Sequence, residues 1–200
     1  MSRRRLGLIV EGKGEVKALP ILVRRILTTN FPEAQLDLPE PFLLKRGLMT
    51  KQEELSRAVE AMARTLGPGE PVLIVVDADA DSGCLLAPTI LEIATRARND
   101  RLVGVVVAVR EYEAWLLAGL APLAGRFGLE SSLPDIENSE SLPNPKAWLK
   151  RHMDVYSETV DQAILTRHFD ISLARRAYSF DKLVRELTRI LQISPVNPLT

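Results

Sequence analysis

Two hundred residues with a hydrophobic share of 46% are enough for one domain with a substantial core, and they exclude wholesale disorder. Acids and bases balance at 26 each, so no bulk positive field marks the chain for nucleic acid. The lone Cys84 excludes an intramolecular disulfide and a cysteine-rich zinc site; it reads as a small packing residue and suits a reducing cytoplasm.

The opening MSRRRLGLIV carries an apolar stretch too short for a signal peptide, followed at once by Glu11, and no run approaches membrane-spanning length. A soluble cytoplasmic protein with no membrane partner is expected. Arg3, Arg4 and Arg5, Arg24 with Arg25, and Arg175 with Arg176 are local basic groups able to meet phosphates. Each of them alone reads better as a solvated helix face.

Residues 6–10 (LGLIV) predict a first short strand, and EGKGE over 11–15 a tight turn into a helix over 16–31. Leu19, Ile21, Leu22, Ile26 and Leu27 give that helix its apolar face, with Pro20 expected in the first turn. The glycines fit neither phosphate-loop spacing. What the turn offers is Glu11 at a strand's carboxyl end and Glu15 four residues on. Favourable charge at a helix amino terminus accounts well for Glu15 and poorly for Glu11.

Residues 39–44 predict a second strand, placed at an edge by its prolines, and residues 51–66 a polar helix. The chain is organised around 72–81, VLIVVDADAD. Val72, Leu73, Ile74, Val75 and Val76 have the continuous β-branched and aliphatic character of a central strand buried on both faces. Asp77 and Asp79 follow at spacing two, which aims both carboxylates to one side if the chain stays extended. Such proximity costs stability unless a cation or a shared proton relieves the repulsion. One aspartate would read as a helix cap; three in alternation, with Asp81, exceed what one cap needs.

A helix over 85–99 and a valine-rich strand over 102–109 come next, ending in Arg110, Glu111, Tyr112 and Glu113 before a helix that opens near Ala114. Alternating strands and helices predict an α/β fold with a mostly parallel, Rossmann-like sheet, whose carboxyl edge then collects Glu11, Asp77, Asp79 and Glu111 or Glu113. Residues 122–145 read as a long loop. Short helices are expected over 146–153, 157–168, 170–176 and 180–191, with no further strand, before a tail marked by Pro195 and Pro198. His152 and His168 lie outside every acidic motif and read as surface or helix-end residues with no evident partner. Tyr112, Trp115 and Trp148 read as core aromatics, with stacking on a base as the functional alternative.

An EG-x-x-E turn after strand one, a D-x-D after the central strand and an acid after the next strand resemble the Toprim fold of topoisomerases, primases and nucleases of the overcoming-lysogenization-defect type. More narrowly, VEGKGE, VVDADADSGC, VREYEAWLLA, PKAWLKRHM, YSETVDQAILTRHFD and SFDKL resemble the Toprim-related family called domain of unknown function 4276, nearly end to end. The resemblance implies a Toprim-like core over residues 1–120 and a helical extension over 121–200 packed on it as one structural unit. It also implies phosphoryl transfer with Mg²⁺ or Mn²⁺, most specifically a nuclease. Asp77 and Asp79 would be principal ligands and Glu11 a ligand or general base, with Glu15, Glu113 and Glu111 completing the shell. Asp81 would support them or cap the next helix. Lys146, with Lys182 as a weaker candidate, would neutralise charge on the phosphate. The chain departs from its relatives at Arg110, where many carry His. The implied partners are nucleic acid and an ATPase supplied by another chain, since this one has no Walker motif. Rival readings are a non-catalytic metal- or nucleotide-binding module acting with a partner in a defence or toxin system, and a small nucleotide phosphohydrolase.

Overall fold

The computed structural model describes residues 4–31, 35–78, 83–134 and 136–192, and of Gly83 and Cys84 the backbone alone. Asp79, Asp81, the Cys84 side chain and the prolines of the tail therefore lie outside the described residues. In chain order the elements begin with β1 (Arg4–Arg5), β2 (Gly7–Val10), α1 (Lys13–Asn30), β3 (Leu36–Asp37) and β4 (Phe42–Leu43). A 3-10 turn at Arg46–Leu48 leads to α2 (Gln52–Arg64), β5 (Val72–Asp77), α3 (Gly83–Ala97), β6 (Val103–Ala108) and α4 (Tyr112–Ala118). The remaining helices are α5 (Pro145–His152), α6 (Asp161–His168), α7 (Ile171–Ala174) and α8 (Tyr178–Leu191).

The main sheet has four strands in the order β4-β2-β5-β6, every pair parallel, with Ile9 opposite Ile74 and Asp77 opposite Ala108. β1 and β3 form a separate parallel pair. The expected α/β class, a parallel sheet flanked by helices, is borne out. The predicted strand over 39–44 forms only at Phe42–Leu43 and lies at the sheet edge, where its prolines remove no ladder bond.

The period of two divides the core cleanly. Ile9, Ile74, Val76, Val103, Val105 and Val107 pack with α2 and α3 through Leu55, Val59, Met62, Leu86 and Ile90. Leu8, Val10, Leu73, Val75, Val106 and Ala108 face the other way, onto Leu19, Leu22 and Ile26 of α1 and onto Trp115, Leu149, Leu165, Phe169, Phe180 and Leu183. Asp77 has the parity of Leu73 and Val75, so the sheet itself aims it at the layer of α1 and the later helices. Burying these side chains contributes roughly 2 kcal/mol apiece, which offsets the ordering of short, weakly helical segments after residue 121.

One expectation needs correction. α1 starts at Lys13 rather than at residue 16, so Pro20 falls in its second turn, inside the helix. The helix nevertheless continues to Asn30, because the fully buried Leu19, Leu22, Val23 and Ile26 hold both sides of the missing N–H bond in place.

Gly14 marks the closest approach of α1 to the segment entering α6. A Cβ there would lie 2.3 Å from Gln162 Oε1 and 2.7 Å from the backbone oxygen of Glu158. Alanine is the better helix former by roughly 0.5–1 kcal/mol, but a backbone oxygen cannot move aside cheaply, and overpacking of this kind costs about 1–3 kcal/mol. Gly14→Ala is expected to lower the thermal midpoint. A raised midpoint would show that this contact is looser than the distances state.

Candidate metal centre

The centre is built where β2 and β5 end. After Val10 the chain turns through Glu11 and Gly12 into α1, and Glu15, in the first helical turn, reaches back so that its Oε2 accepts the backbone N–H of Glu11 at 3.1 Å and of Gly12 at 3.0 Å. This is half of a capping box, since Gly12 has no side chain to complete it. The helix-start role expected for Glu15 is therefore real, and the same geometry fixes its carboxylate beside the strand ends. Glu11 Oε2 in turn accepts the backbone N–H of Asp77 at 3.1 Å.

Glu11, Glu15 and Asp77 each offer a carboxylate oxygen, and the three lie within 4.8 Å of one another. Glu15 and Asp77 are buried and Glu11 half-buried. Oxygen donors so arranged fit a hard divalent cation such as Mg²⁺ or Mn²⁺. Without one they strain each other: burial, then the charge of Glu11, with Glu113 adding, pushes the Glu15 carboxyl up to about 7, against the two backbone hydrogen bonds. Burial followed by the charges of Glu15, Glu11 and Glu113 holds Asp77 well above the usual carboxylate range, with Lys146 opposing.

Glu111 and Glu113, a matched pair by spacing, part company in the structure. α4 opens at Tyr112 rather than near Ala114, so Glu113 sits in its first turn with Glu111 as the N-cap. Glu113 is 1% exposed and its Oε1 accepts the Tyr156 hydroxyl at 2.7 Å. Burial raises the Glu113 carboxyl, while Lys146 and Tyr156 oppose the rise. Glu111 turns to Lys146, accepting its backbone N–H at 2.9 Å and standing 3.8 Å from its Nζ. Lys146 Nζ also pairs with Glu158 at 3.1 Å. Burial alone would lower the lysine, but Glu113, Glu158 and Glu111 together hold it above its ordinary value.

The structure thus gathers Glu11, Glu15 and Asp77 into one group, with Glu113 and Lys146 electrostatically coupled to it and Glu111 one step further out, on Lys146. Lys182 is not among them; it lies on α8 in the groove between α3 and the β6 edge. His152 and His168 stand in the last turns of α5 and α6, but they do have partners: His152 Nδ1 meets Glu130 Oε2 at 2.8 Å, and His168 stacks on Phe127. Tyr112 and Trp115 are fully buried core residues. Two of the basic pairs serve the fold: Arg25 caps α6 through the carbonyls of Thr166 and Phe169, and Arg175 pairs with Asp181.

Three residues at the centre carried no assigned role in the sequence, although Tyr156 and Glu158 fall inside the YSETVDQAILTRHFD motif. Tyr156 and Glu158 belong to a loop far along the chain and reach Glu113 and Lys146 only through the packing of the later helices. Arg46 follows the edge strand β4, and its Nε donates to the backbone carbonyl of Asp77 at 3.1 Å, steadying the end of β5. A separate concavity of about 430 Å³ lies at the opposite end of the sheet, lined among others by Arg4, Arg5, Glu70 and Arg101, and includes none of these carboxylates.

Among the described residues no helix is long and apolar enough to cross a membrane. A family model described as domain of unknown function (DUF4276) matches residues 10–188, the family expected from the motifs. Among solved structures the chain is similar to the C-terminal region of the OLD protein of Xanthomonas campestris pv. campestris, at 10% identity and a TM-score of 0.45, over 92% of this chain and 98% of that one. No curated protein sequence matches significantly.

Proposed function

This chain belongs to the DUF4276 family, and we propose that it is a Toprim-like, Mg²⁺- or Mn²⁺-dependent phosphoryl-transfer enzyme that hydrolyses phosphodiester bonds in nucleic acid. The observation that supports this best is the meeting of Glu11, Glu15 and Asp77 within 4.8 Å at the carboxyl ends of adjacent parallel strands. Ligands of open α/β sheets bind at that edge. Crowding carboxylates there destabilises the fold unless a cation is the intended occupant.

Glu11, Glu15 and Asp77 would hold the ion, and Asp79, outside the described residues, is proposed as a further ligand from its D-x-D spacing. A bound divalent ion supplies Lewis-acid stabilisation of the phosphate charge and makes water a stronger acid. The chain's own groups do the positioning. Backbone N–H donors fix Glu15 and Glu11, Tyr156 fixes Glu113, and Lys146 stands poised on Glu111 and Glu158 to neutralise negative charge that develops on a phosphate. The carboxylates shift Lys146 toward its charged form, so it enters the reaction as a cation and not as a base.

Incubation of the wild-type chain with linear, supercoiled and single-stranded DNA and with RNA, in Mg²⁺ or Mn²⁺, tests the reading. Asp77→Ala and Glu11→Ala are expected to lose cleavage by more than roughly a hundredfold, beyond the effect usual for groups outside a metal's direct ligands. Cleavage that persists in Asp77→Ala would remove the assignment. Metal uptake with no cleavage of any of the four substrates would replace the enzyme by a binding module.

A further inference from the structure

Arg110 sits between β6 and α4 with φ 68°, in the left-handed region that a long side chain rarely occupies. The Glu111 N–H donates to the Val109 carbonyl at 3.1 Å, so the chain reverses around Arg110 in a three-residue turn of the tight, costly kind. Glycine would meet this backbone without strain. An arginine is held there instead, partly buried, and among the described residues its guanidinium makes no hydrogen bond and no ion pair.

The acids nearest it along the chain are engaged elsewhere. The neighbouring Glu111 is committed to Lys146 through both the backbone N–H and Nζ, and Glu113 is committed to Tyr156. Of the other cations there, Lys146 is held by two carboxylates and Arg46 donates to the Asp77 carbonyl. Arg110 therefore follows β6 at the carboxyl edge of the sheet, where Ala108, two residues before it, is paired with Asp77, and its fork of donors is uncommitted among the described residues. A guanidinium is always charged, is more weakly hydrated than an ammonium and matches the oxygens of a phosphate bidentately.

We infer that Arg110 is a substrate-binding residue that takes a phosphate group of the ligand, and that the strained turn is retained to present it. The inference rests on the metal-dependent phosphoryl-transfer reading. The phosphate belongs either to a polynucleotide or to a free nucleotide, and the chemistry is shared.

The test uses the full chain with Mn²⁺ and two probes: a labelled single-stranded DNA oligonucleotide followed by anisotropy, and a nucleoside monophosphate followed by thermal shift. Arg110→Gly removes the guanidinium while suiting the backbone, and Arg110→Lys keeps the charge without the fork. Arg110→Gly is expected to unfold at the wild-type temperature or above and to keep the full Mn²⁺-induced shift. It should bind the oligonucleotide about tenfold more weakly, the scale of one charge-assisted contact, with the lysine variant in between. In a cleavage assay the loss should fall mainly on KM. A loss confined to the nucleotide assigns the phosphate to a small ligand; a loss with the oligonucleotide assigns it to a polynucleotide. Unchanged affinity for both probes with Mn²⁺ still bound overturns the inference alone, as does wild-type binding of Mn²⁺ but of neither probe. A clear fall in the unfolding temperature of Arg110→Gly makes Arg110 a packing residue and also overturns it. Wild-type protein that takes up no Mn²⁺ overturns the metal centre first, and this inference with it.

Discussion

The metal-free protein is expected to lose stability as the pH rises from about 4.5 to about 7, and a divalent cation to restore it. Glu15 carries the argument: its carboxyl moves from 4.5 to about 7 in the folded state through burial and the charge of Glu11. Because the folded form holds this proton more tightly than the unfolded chain does, the folded form is favoured while the carboxyl is protonated. That advantage disappears as pH rises through the interval between the two values, and above about 7 the full penalty of a buried charge remains. A shift of that size corresponds to about 3 kcal/mol, or roughly 6–12 °C in the unfolding midpoint for a chain of this length. Asp77 and Glu113 are raised as well and act in the same direction.

Groups with the opposite shift do not mask the effect. Burial would raise Asp181, but Arg175 and Arg185 pull it below its ordinary value, and the hydrogen bond from Arg98 does the same to Asp100. Their contribution is present above the unfolded value of 3.8 and fades only as pH falls beneath it, outside the window in question. Thermal unfolding with a chelator at pH 5 and pH 8 reads the slope. Mn²⁺ at a hundred times its dissociation constant should return about 2.7 kcal/mol at pH 8. Glu15→Gln keeps a carbonyl oxygen for the N–H groups of Glu11 and Gly12 but cannot ionise, so its slope should be shallower and its metal-free midpoint at pH 8 higher than wild type. A wild-type midpoint that is flat or rising over this interval would refute the account, and so would a Glu15→Gln profile parallel to it.

Much of this centre was legible in the chain because strand chemistry is local. The β-branched run 72–76 has few alternatives to a buried strand, and parallel strands joined by helices must end on the same edge. Topology alone therefore brings Glu11, at the end of β2, and Asp77, at the end of β5, to one edge. The spacing rule failed at Glu111 and Glu113, since it assumes an extended chain and Tyr112 already begins a helix. Tyr156 on Glu113 and Glu158 on Lys146 were beyond reach for a different reason: the loop that carries them is placed by the burial of Leu149, Leu165 and Phe169 against α1 and α4, a long-range packing result with no local signature. Pro20 erred in the other direction. A local breaker was overridden by the apolar face around it.

Replacing Trp115 by alanine is expected to have the largest effect of any single change on the fold, and to reach the centre through it. Trp115 is fully buried, 5.2 Å from the Tyr112 ring and 5.8 Å edge-on from Phe180, and its Nε1 donates to Ser179 Oγ at 2.7 Å. Ser179 Oγ also accepts the Val109 N–H at 3.1 Å and donates to Glu140, so one indole joins α4, the end of β6 and the start of α8. Emptying the site should cost about 3–5 kcal/mol, or roughly 10 °C in the midpoint. Trp115→Phe keeps most of the bulk and loses one hydrogen bond, while Ser179 retains its other two partners, so about 1–2 kcal/mol is expected. Glu113 occupies the same short helix, two residues away, and its buried position depends on that helix staying seated. The unfolding midpoint of Trp115→Ala should therefore show a smaller Mn²⁺-induced shift than that of Trp115→Phe. A midpoint for Trp115→Ala within a few degrees of wild type would mean that the indole does not hold this corner; equal Mn²⁺ shifts in the two variants would mean that the corner does not hold Glu113.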